Sequence, residues 1–164
     1  MWKLFFAVAL FVSSSLAQHP SLKLGVGIGI PYGVIGGNAE IGMSYVAVLG
    51  GFGYGLFAPG WSAGGRVYAA APDKTWRPHA TVVYGTTVVY QLKNAVGGAV
   101  VEEGALNGMG FYLGVDQDVS RPGGSIWTYG IGFITHESLP AGLKESDVGI
   151  PIKIMVGWNY RFGT

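Results

Sequence analysis

Large apolar residues alternate with small or polar ones, with a period of two, along almost the whole chain after Gln18. In the last segment, the even positions from 150 to 162 are all apolar and the odd positions are mostly small or polar. Successive side chains of a β-strand point to opposite faces, so this pattern predicts a strand with one wholly apolar face. Helical spacing of apolar residues is hard to find here, and the fold class is therefore all-β.

The same alternation recurs upstream and divides the chain into about eight strands. Turn residues stand between the strands, as at Ala58-Pro59-Gly60 and Ala71-Pro72-Asp73-Lys74. We place the strands at about 22–30, 36–43, 45–57, 61–70, 76–91, 105–117, 125–135 and 150–162. About 147 residues over eight strands leaves about 18 for each, which is a strand of about ten residues plus a connection. The pattern Pro31-Tyr32-Gly33 fits either a turn or a kink within one longer strand.

The face opposite the apolar one is unlike a soluble surface. The chain has 29 glycines and only 12% charged residues, and glycine and alanine occupy most of that opposite face. Small residues suit the crowded interior of a small barrel, and a uniformly large apolar face suits a wall in contact with lipid. Lipid also forces closure, because unpaired backbone groups are costly in hydrocarbon. We therefore expect a closed, eight-stranded, antiparallel up-and-down transmembrane β-barrel.

The lengths of the connections agree with a barrel whose N-terminus is periplasmic. The turns near 43–45, 71–76 and 118–124 are short, whereas the connections at 92–104 and 136–149 are longer. Short periplasmic turns and longer outer loops are typical of this class. The alternative is an exported soluble ligand-binding barrel of lipocalin type, which also has eight strands. That alternative requires the apolar face to be the inner wall.

The N-terminal residues 1–17 have the pattern of a secretory signal peptide. Lys3 precedes the apolar stretch 4–12, and Ser15-Leu16-Ala17 places small residues where signal peptidase cleaves. We predict cleavage after about Ala17 and a single barrel domain over 18–164. The apolar stretch is too short to span a bilayer as a helix.

Two groups of residues follow from the alternation. Charges on the small-residue face are expected in the lumen, where buried charges must pair with each other: Lys23, Glu40, Arg66, Arg77, Asp116, Asp118, Lys153 and Arg161. Aromatic residues near the strand ends are expected at the membrane interface: Trp127, Tyr129, Trp158, Tyr160 and Phe162. The three histidines are scattered and the chain has no cysteine, so we predict no metal site and no cofactor. A net charge of +1 gives no electrostatic case for nucleic acid.

With these features, the chain resembles the small outer-membrane β-barrel proteins of bacteria with two membranes. The resemblance rests on the signal peptide, the period-two alternation over 22–162, the segment 76–85 and the closing segment 156–162. It implies a lipid bilayer as surroundings and recognition by the outer-membrane assembly machinery through an aromatic end of the last strand. Here Phe162 is followed by Gly163 and Thr164, which displaces that signal by two residues.

A narrower likeness concerns His136-Glu137-Ser138, which is similar to the His-x-Ser segment of outer-membrane lipid A deacylases. That resemblance implies His136 as base and Ser138 as nucleophile, with a carboxylate that orients the histidine. Glu145 is the candidate for this acid, at a spacing from His136 that differs from the family's. The segment departs from the family where Leu139 and Pro140 follow the serine. Replacing Ser138 with alanine separates the hypotheses, because an esterase loses turnover whereas a structural barrel assembles unchanged.

The sequence therefore favours a non-catalytic integral outer-membrane protein, structural or interacting through its outer loops. An eight-stranded barrel has an interior just wide enough for its own side chains, so a general porin is disfavoured. A lipid-modifying hydrolase and a soluble ligand-binding barrel are the alternatives.

Overall fold

The computed structural model describes residues 20–93, 100–120, 124–140 and 151–162. Eight antiparallel strands form one closed barrel in which each strand pairs with its neighbours in sequence. The strands are β1 (Ser21–Gly29), β2 (Val34–Met43), β3 (Val46–Tyr54), β4 (Pro59–Tyr68), β5 (Trp76–Lys93), β6 (Val100–Asp118), β7 (Ser125–Ile134) and β8 (Ile152–Phe162). The predicted fold class is confirmed. The expected signal peptide lies outside the described residues.

Closure comes from pairing between the first and last strands. Their register runs from Leu22 opposite Phe162 to Ile28 opposite Val156. Each strand therefore has a hydrogen-bonded partner on both sides, which removes the exposed sheet edges that invite aggregation. Among the described residues, no helix is long and apolar enough to cross a membrane.

Exposed and buried residues alternate along the strands. The exposed residues are the large apolar ones, which is the opposite of the arrangement in a water-soluble protein. In β8, Ile154 is 68% exposed and points outward, whereas Met155 is fully buried. Asn159 is also buried, between the exposed Trp158 and Tyr160. The large apolar face is thus the outer surface, and the small or polar face lines the interior. A soluble barrel of lipocalin type needs the reverse arrangement.

The hairpin between β3 and β4 differs from its predicted bounds. β3 ends at Tyr54 and not at 57, and β4 begins at Pro59. The turn lies at 55–58, closed by a hydrogen bond of 2.8 Å from the Gly55 N–H to the Ala58 carbonyl. The prediction of a turn at Ala58-Pro59-Gly60 is wrong by a few residues, because proline is also tolerated as the first residue of a strand.

β5 and β6 are longer than predicted, with 18 and 19 residues. β4 pairs with β5 only as far as Gly85, and β7 pairs with β6 only from Gly110. Past Gly110, the Thr135 and Glu137 N–H groups still donate to the Met109 and Asn107 carbonyls. Residues 86–93 and 100–106 therefore form a two-stranded extension beyond the barrel wall, here called the long ribbon. Of the expected loop at 92–104, residues 92–93 and 100–104 are strand, and 94–99 lie outside the described residues. β-Branched residues such as Thr86, Thr87, Val88 and Val89 favour strand pairing past the barrel.

The connection between β1 and β2 is a turn, the first of the two predicted forms, and not a kink within one longer strand. Residues Ile30–Tyr32 make a single 3₁₀ turn, the inner turn, and all three are buried inside the barrel. Gly29 (φ 121°) and Gly33 (φ 64°) adopt positive φ, which reverses the chain at both ends of the turn. Val34 also has positive φ, at 82°. This conformation is strained for a β-branched residue, at a cost of about 1–3 kcal/mol.

Candidate functional site

The lumen contains a compact cluster of four charged side chains, here called the lumen cluster. Lys23 Nζ lies 2.7 Å from Glu40 Oε1 and 2.8 Å from Asp116 Oδ2. Arg66 Nη1 lies 2.8 Å from Glu40 Oε2 and 3.7 Å from Asp116 Oδ1. All four side chains are at most 3% exposed. Two cations and two carboxylates balance, which is the condition under which buried charge is tolerated.

The Tyr68 hydroxyl sits at the centre of the lumen cluster. It lies 2.7 Å from Glu40 Oε1 and 3.0 Å from Asp116 Oδ2, and the Lys23 ammonium donates a hydrogen bond to it. A phenol has one proton, so it donates to one of these two carboxylates at a time. Sequence reasoning missed Tyr68. Its position two residues after Arg66 on one strand was the available signal, because both then share a face.

A hydroxyl and an imidazole complete the surroundings of Asp116. The Thr128 hydroxyl donates a hydrogen bond of 2.7 Å to Asp116 Oδ1, and His79 Nε2 lies 3.5 Å from the same oxygen. Thr81 accepts a hydrogen bond of 2.9 Å from Arg66 Nε. Each charged group therefore has several partners from different strands, so the lumen cluster ties opposite sides of the barrel together.

The remaining predicted lumen charges lie towards the two ends of the barrel. Arg77 is buried and donates a hydrogen bond of 2.6 Å to the Ser44 carbonyl, with its guanidinium 3.8 Å from the centre of the Tyr68 ring. Arg161 lies 3.2 Å from Asp118, and both are near the end of the barrel at which β6 and β8 end. Lys153 is at the opposite end, half-buried, and forms no ion pair within the described part of the chain.

The inner turn closes the lumen beside the lumen cluster. Asn159 Nδ2 donates hydrogen bonds to the Tyr32 hydroxyl at 3.2 Å and to Thr128 at 2.9 Å. Ile30 and Tyr32 pack in one buried apolar cluster with residues from several strands: Leu49, Val83, Val88, Leu106, Tyr112, Ile134 and Met155. The apolar side chains fill one half of the barrel and the charged side chains fill the other, so the interior is a packed core.

Glycines on the barrel wall make room for Tyr32. A methyl group added at Gly157 would overlap the Tyr32 hydroxyl, and one at Gly27 would come within 2.9 Å of its ring. A methyl group at Gly53 would lie 2.6 Å from the Tyr32 carbonyl oxygen. At Gly157 the three nearest atoms all belong to Tyr32, so a side chain there requires the inner turn to move. At Gly27 and Gly53 a backbone oxygen of the neighbouring strand is closer still than Tyr32.

We expect Gly157→Ala to destabilise the barrel by about 1–3 kcal/mol, since overpacking displaces a buried side chain. In a Tyr32→Ala background the same substitution has no hydroxyl to overlap, and its cost falls to near zero. Urea unfolding of the four proteins in detergent gives the coupling free energy between the two positions. Equal costs of Gly157→Ala in both backgrounds would mean that Tyr32 does not occupy this space.

The five predicted interface aromatics are exposed on the outer surface near one end of the barrel. Trp127 pairs across strands with Trp158, and Leu22 pairs with Phe162. Trp158 Nε1 donates a hydrogen bond of 3.2 Å to Ser125 Oγ, and Tyr129 stacks beside Trp127. A second group of exposed aromatic residues lies near the other end: Phe52, Tyr54, Trp61 and Tyr84.

The segment that resembles a deacylase motif lies after β7. His136 Nδ1 lies 2.8 Å from the Glu137 carbonyl oxygen, and Ser138 is exposed. Glu145, the acid of that hypothesis, lies outside the described residues. In the described part of the chain, no three His, Asp or Glu side chains are grouped as metal ligands. The expectations that the chain holds no metal and no cofactor stay predictions.

The fold is similar to that in the crystal structure of the N-terminal β-barrel domain of Pseudomonas aeruginosa OprF, with a TM-score of 0.59. The similarity covers 88% of this chain and 98% of that chain, at 11% sequence identity. At this identity the comparison shows a shared fold. No family model matches the chain, and no curated protein matches its sequence.

Proposed function

We propose that this chain is an integral outer-membrane β-barrel with a packed lumen, whose role is structural or depends on interactions through its loops. The observation that carries the proposal is the outer surface of the barrel. Aliphatic side chains such as Leu113 (71% exposed) and Ile154 (68%) cover it, while Lys23, Glu40, Arg66 and Asp116 are buried inside. Water would favour the opposite arrangement by about 25 cal/mol for each Å² of apolar surface.

The spacing of the aromatic residues matches a bilayer. On β5, the exposed Trp76 lies level with Trp127 of the first aromatic group, since both are opposite Gln117. Tyr84, eight residues further along, belongs to the second group. Eight residues of strand span about 27 Å, or about 21 Å along the barrel axis at a tilt of about 40°. Outer-membrane barrels have an apolar band about 25 Å tall between aromatic girdles. The surface between the two groups is apolar, as at Val82, Phe111 and Ile131.

The packed lumen argues against a diffusion pore. The inner turn and the lumen cluster together occupy the interior, and Tyr32, Glu40 and Asp116 are all at most 2% exposed. An eight-stranded barrel has no spare width beyond its own side chains. We therefore propose no general porin activity.

The long ribbon is the part of the described chain best placed for interactions outside the bilayer. It projects beyond the barrel wall and carries exposed polar pairs, Tyr90 with Glu102 (2.9 Å) and Gln91 with Glu103 (2.6 Å). At the other end, β8 ends in the exposed aromatic Phe162, in keeping with recognition by the assembly machinery. Export by a signal peptide cleaved after about Ala17 is part of the same proposal.

The membrane fraction of expressing cells, run on a denaturing gel with and without boiling, tests the proposal. We expect the protein to be extracted only by detergent and to change mobility on heating, because a closed barrel in detergent unfolds slowly. A freely soluble protein with one mobility under both conditions would contradict the membrane assignment. It would favour the exported ligand-binding barrel instead.

A further inference from the structure

The barrel wall has a notch where β1 leaves it. Pairing between β1 and β8 stops at Ile28 and Val156, although β8 continues along β7 to Ile152. Beyond Ile28 the chain turns into the lumen at Gly29 and forms the inner turn. Residues 152–155 of β8 therefore have a strand neighbour on one side only. The notch opens sideways, at the end of the barrel from which the long ribbon projects.

A cavity of about 260 Å³ occupies this notch. Ile28 and Ile154 line its outer side and are 57% and 68% exposed on the barrel surface. Thr87 and Val88 of the long ribbon close it from above, and both are buried. The cavity is thus continuous with the apolar outer surface at one side and reaches the polar end of the barrel at the other.

Lys153 is the charged residue in the lining of this cavity. It differs from Lys23, which contacts two carboxylates, because Lys153 has no acidic partner within the described ranges. Its side chain is half-buried beside isoleucine and valine, and no described carboxylate supplies a counter-charge. An acidic ligand group would supply that charge.

We propose that the notch binds an anionic amphiphile with one alkyl chain. Its acidic head pairs with the Lys153 ammonium, and its chain lies along Ile28 and Ile154 on the outer surface. The cavity lies just below the range of about 300–1,000 Å³ usual for small-molecule sites, which suits a compact carboxylate or phosphate head. The inference rests on the proposed function, because it places the alkyl chain in the bilayer.

Native mass spectrometry of the barrel in neutral maltoside micelles tests this inference with laurate, dodecyl phosphate and dodecanol. We expect one bound molecule per barrel for an acidic amphiphile, and binding at least about tenfold weaker for Lys153→Gln, since a charge-assisted contact is lost. Lys74→Gln is the matched control, because Lys74 is exposed at the opposite end and pairs with Asp73. A preference for laurate indicates a free fatty acid, and a preference for dodecyl phosphate indicates a lipid head group.

Two results would overturn the inference. One is equal binding of dodecanol and the acidic amphiphiles, and the other is equal binding by the wild type and Lys153→Gln. The heat-dependent mobility of Lys153→Gln must match the wild type, which shows that the variant is folded. A barrel that shifts on heating but binds neither acid refutes the notch site alone. The absence of any heat shift in the wild type refutes the proposed function.

Discussion

Replacing Leu113 with arginine is expected to lower the free energy of unfolding in a phospholipid bilayer by about 2–4 kcal/mol. Leu113 is 71% exposed on the outer surface and lies midway along β6 between the pairs Trp76–Gln117 and Tyr84–Met109. This position is the midplane of the proposed membrane span, where a guanidinium is costliest. Urea unfolding in lipid vesicles, followed by tryptophan fluorescence, gives the difference from the wild type.

Leu56→Arg is the matched control for this substitution. Leu56 is 80% exposed but lies in the turn between β3 and β4, beyond the aromatic group that contains Tyr54. Arginine is expected to change stability there by less than about 0.5 kcal/mol, as at an ordinary surface position. If both substitutions had equally small effects, the outer surface would be facing water.

The second large effect is expected for Asp116→Asn, which should cost about 3–5 kcal/mol of unfolding free energy. Asp116 contacts Lys23 at 2.8 Å, accepts a hydrogen bond from Thr128 at 2.7 Å and is 1% exposed. Asparagine keeps the shape but removes the charge. It leaves two buried cations, Lys23 and Arg66, with Glu40 as their remaining carboxylate.

Asp73→Asn is the control for charge removal as such. The Asp73 side chain is 71% exposed and lies 3.4 Å from Lys74, so its loss should cost at most about 1 kcal/mol. Denaturant unfolding of both variants in the same detergent measures the contrast. A cost for Asp116→Asn as small as that for Asp73→Asn would show that the lumen cluster is hydrated and does not stabilise the barrel.

The strand number and closure were predictable because the period-two pattern is nearly continuous. Large residues such as Ile152, Ile154 and Val156 mark one face without interruption. This face lies on the outer surface along the whole strand, and the other face lies in the lumen. The same alternation also placed Lys23 and Arg66 on the inner side of the wall. The alternation is set by backbone geometry, so it is readable without knowing the partner strands.

The contacts inside the barrel were not predictable from that pattern. The odd or even position of a residue gives the face of the sheet on which it lies, but not its position along the barrel axis. That position depends on the register between strands. Asp116 meets Lys23 because the registers of β6, β7, β8 and β1 bring them to one level, and Tyr68 completes the group from β4. The inner turn was also hidden, since Pro31-Tyr32-Gly33 reads as an ordinary turn. Its inward direction depends on space left by Gly27, Gly53 and Gly157 on three other strands.

Site-directed spin labelling tests the central claim most directly, that the apolar outer surface contacts lipid. The chain has no cysteine, so Ile131→Cys and Leu56→Cys each give one labelling site. Ile131 is 59% exposed and pairs with Leu113 and Ile154 in the middle of the wall. In vesicles, we predict that the label at position 131 collides often with oxygen, which concentrates in lipid, and rarely with a water-soluble nickel chelate. The label at position 56 is predicted to collide more often with the chelate than with oxygen. Equal access of the chelate to both labels would contradict a membrane-spanning barrel.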